Sequence, residues 1–314
     1  MELRQLKYFL AIADSGSFSR AAERVFVAQS ALSHQMAQLE AELDAELFLR
    51  SRRGVALTDA GQRFYPHAVS ILRQTEEAAQ SARSASAEPS GKVVFGIPHS
   101  VSNALALPLL RAVRQALPLV QLELTEELTG NLIPQLRAGQ IHLAVLFDDG
   151  TLSEFSWTPL LRERLYLIGP PSSSAKRPAR VALKHALAQP LILPAQPHGV
   201  RPLIEAAAQR AGLAPPPVVA DISSISILRT SLLAGLGQTL LPLMPLKPEL
   251  DAGLLQATAV TSPPLDRVLA LCRSAHIPLP AAAQAVARQC TAVVAALCKE
   301  GEWPGATLMP PPAA

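Results

Sequence analysis

This 314-residue chain carries only three cysteines, Cys272, Cys290 and Cys298. Their odd number and the absence of Cys-x-x-Cys spacing exclude a disulfide scaffold and a zinc ribbon, and fit a reducing compartment. No uninterrupted apolar run reaches about 18 residues, the length of a bilayer-crossing helix, so no membrane span is expected. Glu2 and Asp14 flank the short N-terminal apolar run, which therefore does not read as a signal peptide. The expected location is cytoplasmic. The histidines at 34, 67, 99, 142, 185, 198 and 276 show no His-Glu-x-x-His spacing. There is no Gly-x-Ser-x-Gly elbow and no glycine-rich phosphate loop. Gly235-Leu236-Gly237 lacks a third glycine and precedes a strand pattern. No enzyme, cofactor or metal is expected from these patterns, and Cys272, within an apolar strand pattern, reads as core packing.

Hydrophobic residues make up 49% of the chain, enough for a sizeable core, and the length suits two domains. Leu3, Leu6, Phe9, Leu10 and Ala13 recur at helical spacing. So do Phe18, Ala21, Ala22 and Val25 after Ser17, and then Ala31, Leu32, Met36, Leu39 and Leu43. The interruptions, Asp14-Ser15-Gly16-Ser17 and Phe26-Val27-Ala28-Gln29, leave room only for tight turns. Residues 47–57 read as a β-hairpin around a basic turn, with Gly54 free to adopt positive φ. Thr58 then reads as a helix N-cap. Phe64, Ala68, Ile71, Thr75 and Ala78 follow at alternating offsets of four and three, the spacing of a coiled-coil seam. A helix of roughly 28 residues would span about 40 Å, more than a small domain needs. The seam is expected to dimerise; a helix spent on its own domain is the alternative. Pro66 removes one helix bond, and Ser84 to Gly91 is a linker by composition.

Beyond residue 91, short β-branched runs alternate with helical patterns. Strands are expected at 93–97, 120–124, 141–147, 165–168, 191–193, 218–222, 239–241 and 268–272. Helices are expected near 100–116, 129–138, 200–211 and 224–235. This alternation means α/β with mostly parallel sheets. The stretch after Trp303 is rich in Pro and Ala and reads as a loose tail.

The segment from Ser17 to Glu40 has the physical form of a helix-turn-helix. Ala21-Ala22 allows close helix approach, Val27 and Ala28 fill the turn, and Leu32, Met36 and Leu39 bury the inner face of the next helix. Gln29, Ser30, Ser33 and His34 are left facing outward, suited to base edges and phosphates. Arg50, Arg52 and Arg53 cluster at the wing and suit phosphate contact, with a merely solvated basic turn as the alternative. The chain as a whole has a net charge of +3, but residues 1–90 hold 10 Lys/Arg against 11 Asp/Glu, so the basic character is local to the wing.

This segment, continued through Leu47-Phe48-Leu49-Arg50, Arg52-Arg53-Gly54-Val55 and Leu57-Thr58-Asp59-Ala60-Gly61, resembles LysR-type transcriptional regulators. Within that family it is most similar to the nitrogen assimilation control and cysteine-regulon group. Ser30 stands where Pro is common, Asp44 where Gly is usual and His34 where Arg is frequent. The resemblance implies α/β with an N-terminal all-α winged helix-turn-helix, and an effector region of two α/β subdomains resembling periplasmic binding proteins. It implies a winged helix-turn-helix at 1–58, a dimerising linker helix and hinge at 59–91 and an effector domain at 92–300. Subdomain one would take 92–162 and 267–300, subdomain two 163–266, with a loose tail at 301–314. The implied partners are promoter DNA, RNA polymerase, a second copy in a dimer or tetramer, and a small effector that some relatives dispense with. Ser100, Ser102, Thr129, Asn131, His198, Arg201 and Ser223 open helices after strands, where an anionic effector would be held; plain helix caps at Ser100 and Thr129, and ordinary surface residues at His198 and Arg201, are the alternatives. The other reading left open is a ligand-binding or enzymatic α/β protein with a helical N-terminal extension.

Overall fold

The structure is a computed structural model that describes every residue except 52, 53, 84–87, 149, 151, 172–177, 196–199 and 311–314. Arg52, Arg53, His198 and the first half of the expected linker lie outside the described residues. The chain divides into two compact units, an N-terminal head and a larger C-terminal unit.

The head consists of α1 (Leu3–Ser15), α2 (Phe18–Arg24), α3 (Gln29–Leu43), the strands β1 (Phe48–Ser51) and β2 (Gly54–Leu57), and α4 (Asp59–Arg83). Ser17 caps α2 by accepting from the Arg20 N–H. The α3 helix ends at Asp44, whose φ of 49° puts an aspartate in the left-handed region that glycine fills most cheaply. Leu6, Phe9, Ile12, Ala21, Leu32, Met36, Leu39 and Phe48 form the core. Glu40 pins the wing by accepting from the Leu47 N–H at 2.8 Å. Thr58 accepts from the Gly61 N–H at 2.9 Å and starts α4 as expected. Gly61 is obligatory there, since a Cβ would lie 2.2 Å from the Leu47 carbonyl oxygen. The expected seam is split. Phe64 meets Phe9 at 5.0 Å between ring centroids, Ala68 is fully buried, and Ile71 packs on the same core. Only Thr75 and Ala78 face solvent. Ala68 cannot be a contact between copies, because its methyl is already covered by its own domain.

The second unit runs β3 (Gly91–Pro98), α5 (His99–Ala116), β4 (Val120–Glu127), α6 (Thr129–Arg137), β5 (Leu143–Asp148), β6 (Phe155–Arg164), β7 (Tyr166–Gly169), β8 (Arg180–Ala182), α7 (Leu183–Leu187), β9 (Leu191–Leu193), α8 (Val200–Arg210), β10 (Val218–Asp221), α9 (Ile225–Leu233), β11 (Thr239–Leu241), α10 (Lys247–Asp251), β12 (Gln256–Thr261), β13 (Asp266–Ser274), α11 (Ala281–Lys299) and β14 (Ala306–Leu308). One lobe is a six-stranded sheet in the order β14-β6-β13-β5-β3-β4. The other holds β11-β7-β12-β8 and the pair β10-β9. The chain passes between lobes at the β6–β7 and β12–β13 junctions, and each lobe has its own apolar core.

Two expectations are corrected, and one helix was not foreseen. The sheets are mixed: β3 pairs in parallel with β4 and β5, but β13 is antiparallel to β5 and β6, and β7 is antiparallel to β11 and β12. The long strands β6 and β13, which carry the chain between lobes, impose that direction. The tail from 301 is not loose through its described part. Trp303 is buried, and β14 adds an edge strand to β6. Finally, α11 was not expected. It is long and apolar enough to cross a membrane by length and composition, yet Ala283, Val286, Cys290 and Val294 are buried in the first lobe's core.

Candidate nucleic-acid interface and ligand cleft

In the head, Leu32, Met36 and Leu39 bury one stripe of α3. Its opposite edge presents Gln29, Ser30 and His34, all exposed, with Ser33 half-buried beside them. The residue before this helix, Ala28, has no side chain that can cap, so the first-turn N–H groups are left for an outside acceptor. Ser19 donates to Gln29 Oε1 at 3.0 Å, which orients the Gln29 amide. The pattern of residue types along α3 gives no hint of this, because Ser19 lies on another helix. His34 Nε2 lies 3.1 Å from Gln38 Nε2. Arg50 is exposed on β1, with its guanidinium 4.3 Å from the Phe18 ring centroid, so the cation is held in place while remaining open to solvent.

In the second unit a cleft of about 430 Å³, including its open mouth, lies between the two lobes. It is lined at the C-terminal ends of strands by Ser100, Thr129 and Phe147 from one lobe and by Val200, Ser223 and Leu241 from the other. Beside the cleft, Gly96 of β3 packs closely under α6: a Cβ there would lie 2.6 Å from Leu132 Cδ2, so a larger residue would make the Leu132 side chain shift.

The expected ligand residues separate into groups. Ser100 is not a cap; its hydroxyl accepts from Arg267 Nη2 at 3.1 Å. Thr129 is buried on the cleft wall and its hydroxyl has no hydrogen-bond partner among the described residues. Ser223 lines the cleft. Ser102 instead bonds the Glu126 carboxylate, and Asn131 Nδ2 donates to Glu127 Oε2 at 3.0 Å. Arg201 is corrected: its guanidinium is spent on Glu205 and, at 2.7 Å, on Asp221, and it does not line the cleft.

Arg267 was not anticipated. It is 3% exposed and lies behind the cleft wall, with its guanidinium 4.0 Å from the ring centroid of Phe147 and its Nη2 2.7 Å from Glu163 Oε2. Burial holds its pKa below the usual arginine value, opposed by Glu163. Arg267 Nη1 has no hydrogen-bond partner among the described residues. Nothing local in the sequence could reveal this, because 167 positions separate Arg267 from Ser100.

Comparison with known proteins gives two family matches. Residues 3–62 match the bacterial regulatory helix-turn-helix protein, lysR family. Residues 86–295 match the LysR substrate binding domain. The nitrogen assimilation regulatory protein nac of Klebsiella aerogenes is 36% identical over 287 residues, covering 91% of this chain and 93% of that protein. The protein of the same name from Escherichia coli K12 is 33% identical, covering 96% and 99%. Among solved structures, a full-length Pseudomonas aeruginosa OxyR variant aligns with a TM-score of 0.68 at 24% identity, covering 92% and 94%. Full-length CbnR in complex with its target DNA aligns with a TM-score of 0.66 at 23% identity, covering 94% and 99%.

Proposed function

The chain belongs to the LysR family of bacterial transcriptional regulators, and we propose that α3 reads one half of an inverted repeat in promoter DNA while the cleft holds a small oxygen-bearing effector. The observation that carries the first part is the open edge of α3. Gln29, Ser30, Ser33 and His34 stand together beside an uncapped helix N-terminus. The planar Gln29 amide suits an adenine edge, the serines suit bases or phosphates, and Arg50 suits the backbone. Arg52 and Arg53 join this set by their place in the wing sequence.

For the cleft, the supporting observation is the state of two hydroxyls. Ser100 accepts from Arg267, so its own proton is free to be donated to a ligand; Thr129 has no hydrogen-bond partner for its hydroxyl among the described residues. Both favour an acceptor such as a carboxylate. The Glu126 and Glu127 side chains around the same space oppose a second negative group. Ser223 contacts the ligand from the other lobe. A ligand bridging the lobes would favour one lobe spacing, and so one spacing of the DNA-binding heads in a dimer or tetramer. Residues 1–58, 59–91 and 92–300 would act as reader, assembly helix and sensor, in the cytoplasm, with RNA polymerase as the final partner.

The test is a gel shift with the DNA upstream of this gene and a random fragment of equal length. Selective retention of the upstream fragment is expected, with loss of that selectivity in Gln29→Ala. Equal retention of both fragments by the wild-type chain would overturn the proposal.

A further inference from the structure

Phe26 lies in the turn between α2 and α3, three residues before Gln29. Two independent features set it apart. It is 95% exposed, whereas the other exposed large hydrophobic residues range from 38% to 62%. It is also one of three non-glycine residues with positive φ among the described residues, at 56°. The left-handed region is strained for a side-chain-bearing residue, and a ring in water returns none of that strain through burial. Glycine or asparagine would close this turn more cheaply. The fold does use the backbone here: the Phe26 N–H donates to the Glu23 carbonyl at 3.3 Å and the Val27 N–H to the Ala22 carbonyl at 3.0 Å. It does not use the ring.

We infer that the Phe26 ring is a DNA-reading group, packing on a thymine C5-methyl in the major groove next to the bases met by Gln29. The inference rests on the DNA-binding role of the head. The surface is continuous with the reading edge of α3, since Phe26 leads into it through two residues. A thymine methyl is the apolar feature of the major groove and a recognised partner for Phe. The charges around the turn favour it over a sugar flanked by phosphates. Glu23, exposed in the preceding turn of helix, makes no ion pair among the described residues, and the neighbouring Arg24 faces Asp14 at 3.5 Å. An unneutralised carboxylate there repels the backbone but not a methyl group.

The test separates affinity from folding, because the two should move in opposite directions. Phe26→Gly and Phe26→Asn are measured for melting temperature and for binding to the upstream fragment, made once with thymine and once with uracil throughout. Expected are an unchanged or raised melting temperature, since the strained turn relaxes, and a loss of about tenfold in affinity for thymine DNA. Uracil DNA should bind the wild-type chain more weakly than thymine DNA, while both variants bind the two forms alike. Variants that keep wild-type affinity, or a uracil penalty equal in wild type and variants, would overturn the assignment. Failure of the wild-type chain to prefer the upstream fragment would instead remove the DNA-reading premise, which the thymine fragment alone reveals.

Discussion

The Trp303 indole donates to Glu163 Oε1 at 2.9 Å, tying the C-terminal segment to β6 through a carboxylate that is fully buried. The other carboxylate oxygen accepts from Arg267 Nε and Nη2 at 2.9 and 2.7 Å. Since Arg267 also donates to Ser100, one buried polar chain leads from the ligand cleft to the last strand of the sheet. Its ends are far apart in sequence and share Glu163–Arg267 as their only link on this path.

That chain makes a stability prediction. Arg267→Met leaves the Glu163 carboxylate buried with an indole as its remaining neutral donor and should cost about 3–5 kcal/mol. Adding Glu163→Gln should restore a large part, because a neutral amide no longer needs a buried counter-charge. Urea unfolding of the two single variants and the double variant measures it. Additive losses would show that the two side chains do not act as a pair.

For the head, Gln29→Ala and Ser33→Ala should each weaken specific binding by about 1–3 kcal/mol with little change on random DNA. Ser19→Ala should have a smaller effect in the same direction, because it only orients the Gln29 amide. Arg50→Ala should weaken binding to both DNAs and flatten the salt dependence. Competition gel shifts at several salt concentrations separate these patterns. A loss on random DNA equal to that on the specific site would remove the base-reading role of Gln29.

The helix-turn-helix was legible because its information is local. Ala21-Ala22, the turn, and the Leu32-Met36-Leu39 stripe lie within one short window and obey helical spacing. The α/β grammar of the second unit was legible for the same reason. Strand β6 was not, because Pro159 interrupts the run and Arg162-Glu163-Arg164 makes it look polar. In the sheet, Pro159 falls at a register shift against β13, where a missing N–H is tolerated. Helix α11 was hidden by its own alanines, which blur the contrast between faces; Pro280, just before its start, was the available signal. Half of the cleft was legible as helix openings after strands. The Arg267–Ser100 contact was not, since only the fold brings β13 beside α5.

The α4 helix separates two roles that its sequence pattern merged. Ile71 packs partly on the head's own core, whereas Ala78 is exposed. Ile71→Asp should therefore lower the melting temperature, because a charge enters a packed surface without a partner. Ala78→Asp should leave melting almost unchanged and, if α4 is the seam between copies, shift sedimentation toward smaller species. Sedimentation velocity and thermal melting on both variants test this. An unchanged sedimentation coefficient for Ala78→Asp would place the assembly surface elsewhere.

The thiols give a prediction about redox chemistry. Burial pushes Cys272 and Cys290 up to about 12, with Asp148 adding to the effect at Cys272. Burial also raises Cys298, the one cysteine that is partly exposed. The thiolate is the reactive form, so at pH 8 a thiol near 12 is ionised to only about one part in ten thousand. In the native protein an aromatic disulfide reagent should react slowly at Cys298 and not measurably at Cys272 or Cys290. Rates should still be climbing at pH 9, and all three thiols should react at once in denaturant. Mild peroxide should accordingly leave DNA affinity unchanged, because no low-pKa thiolate is present among these three to be oxidised first. Rapid labelling of Cys272 or Cys290 at neutral pH would show that the lobe core opens more readily than its packing implies. A peroxide-dependent gel shift would show that one of these thiols takes part in signalling.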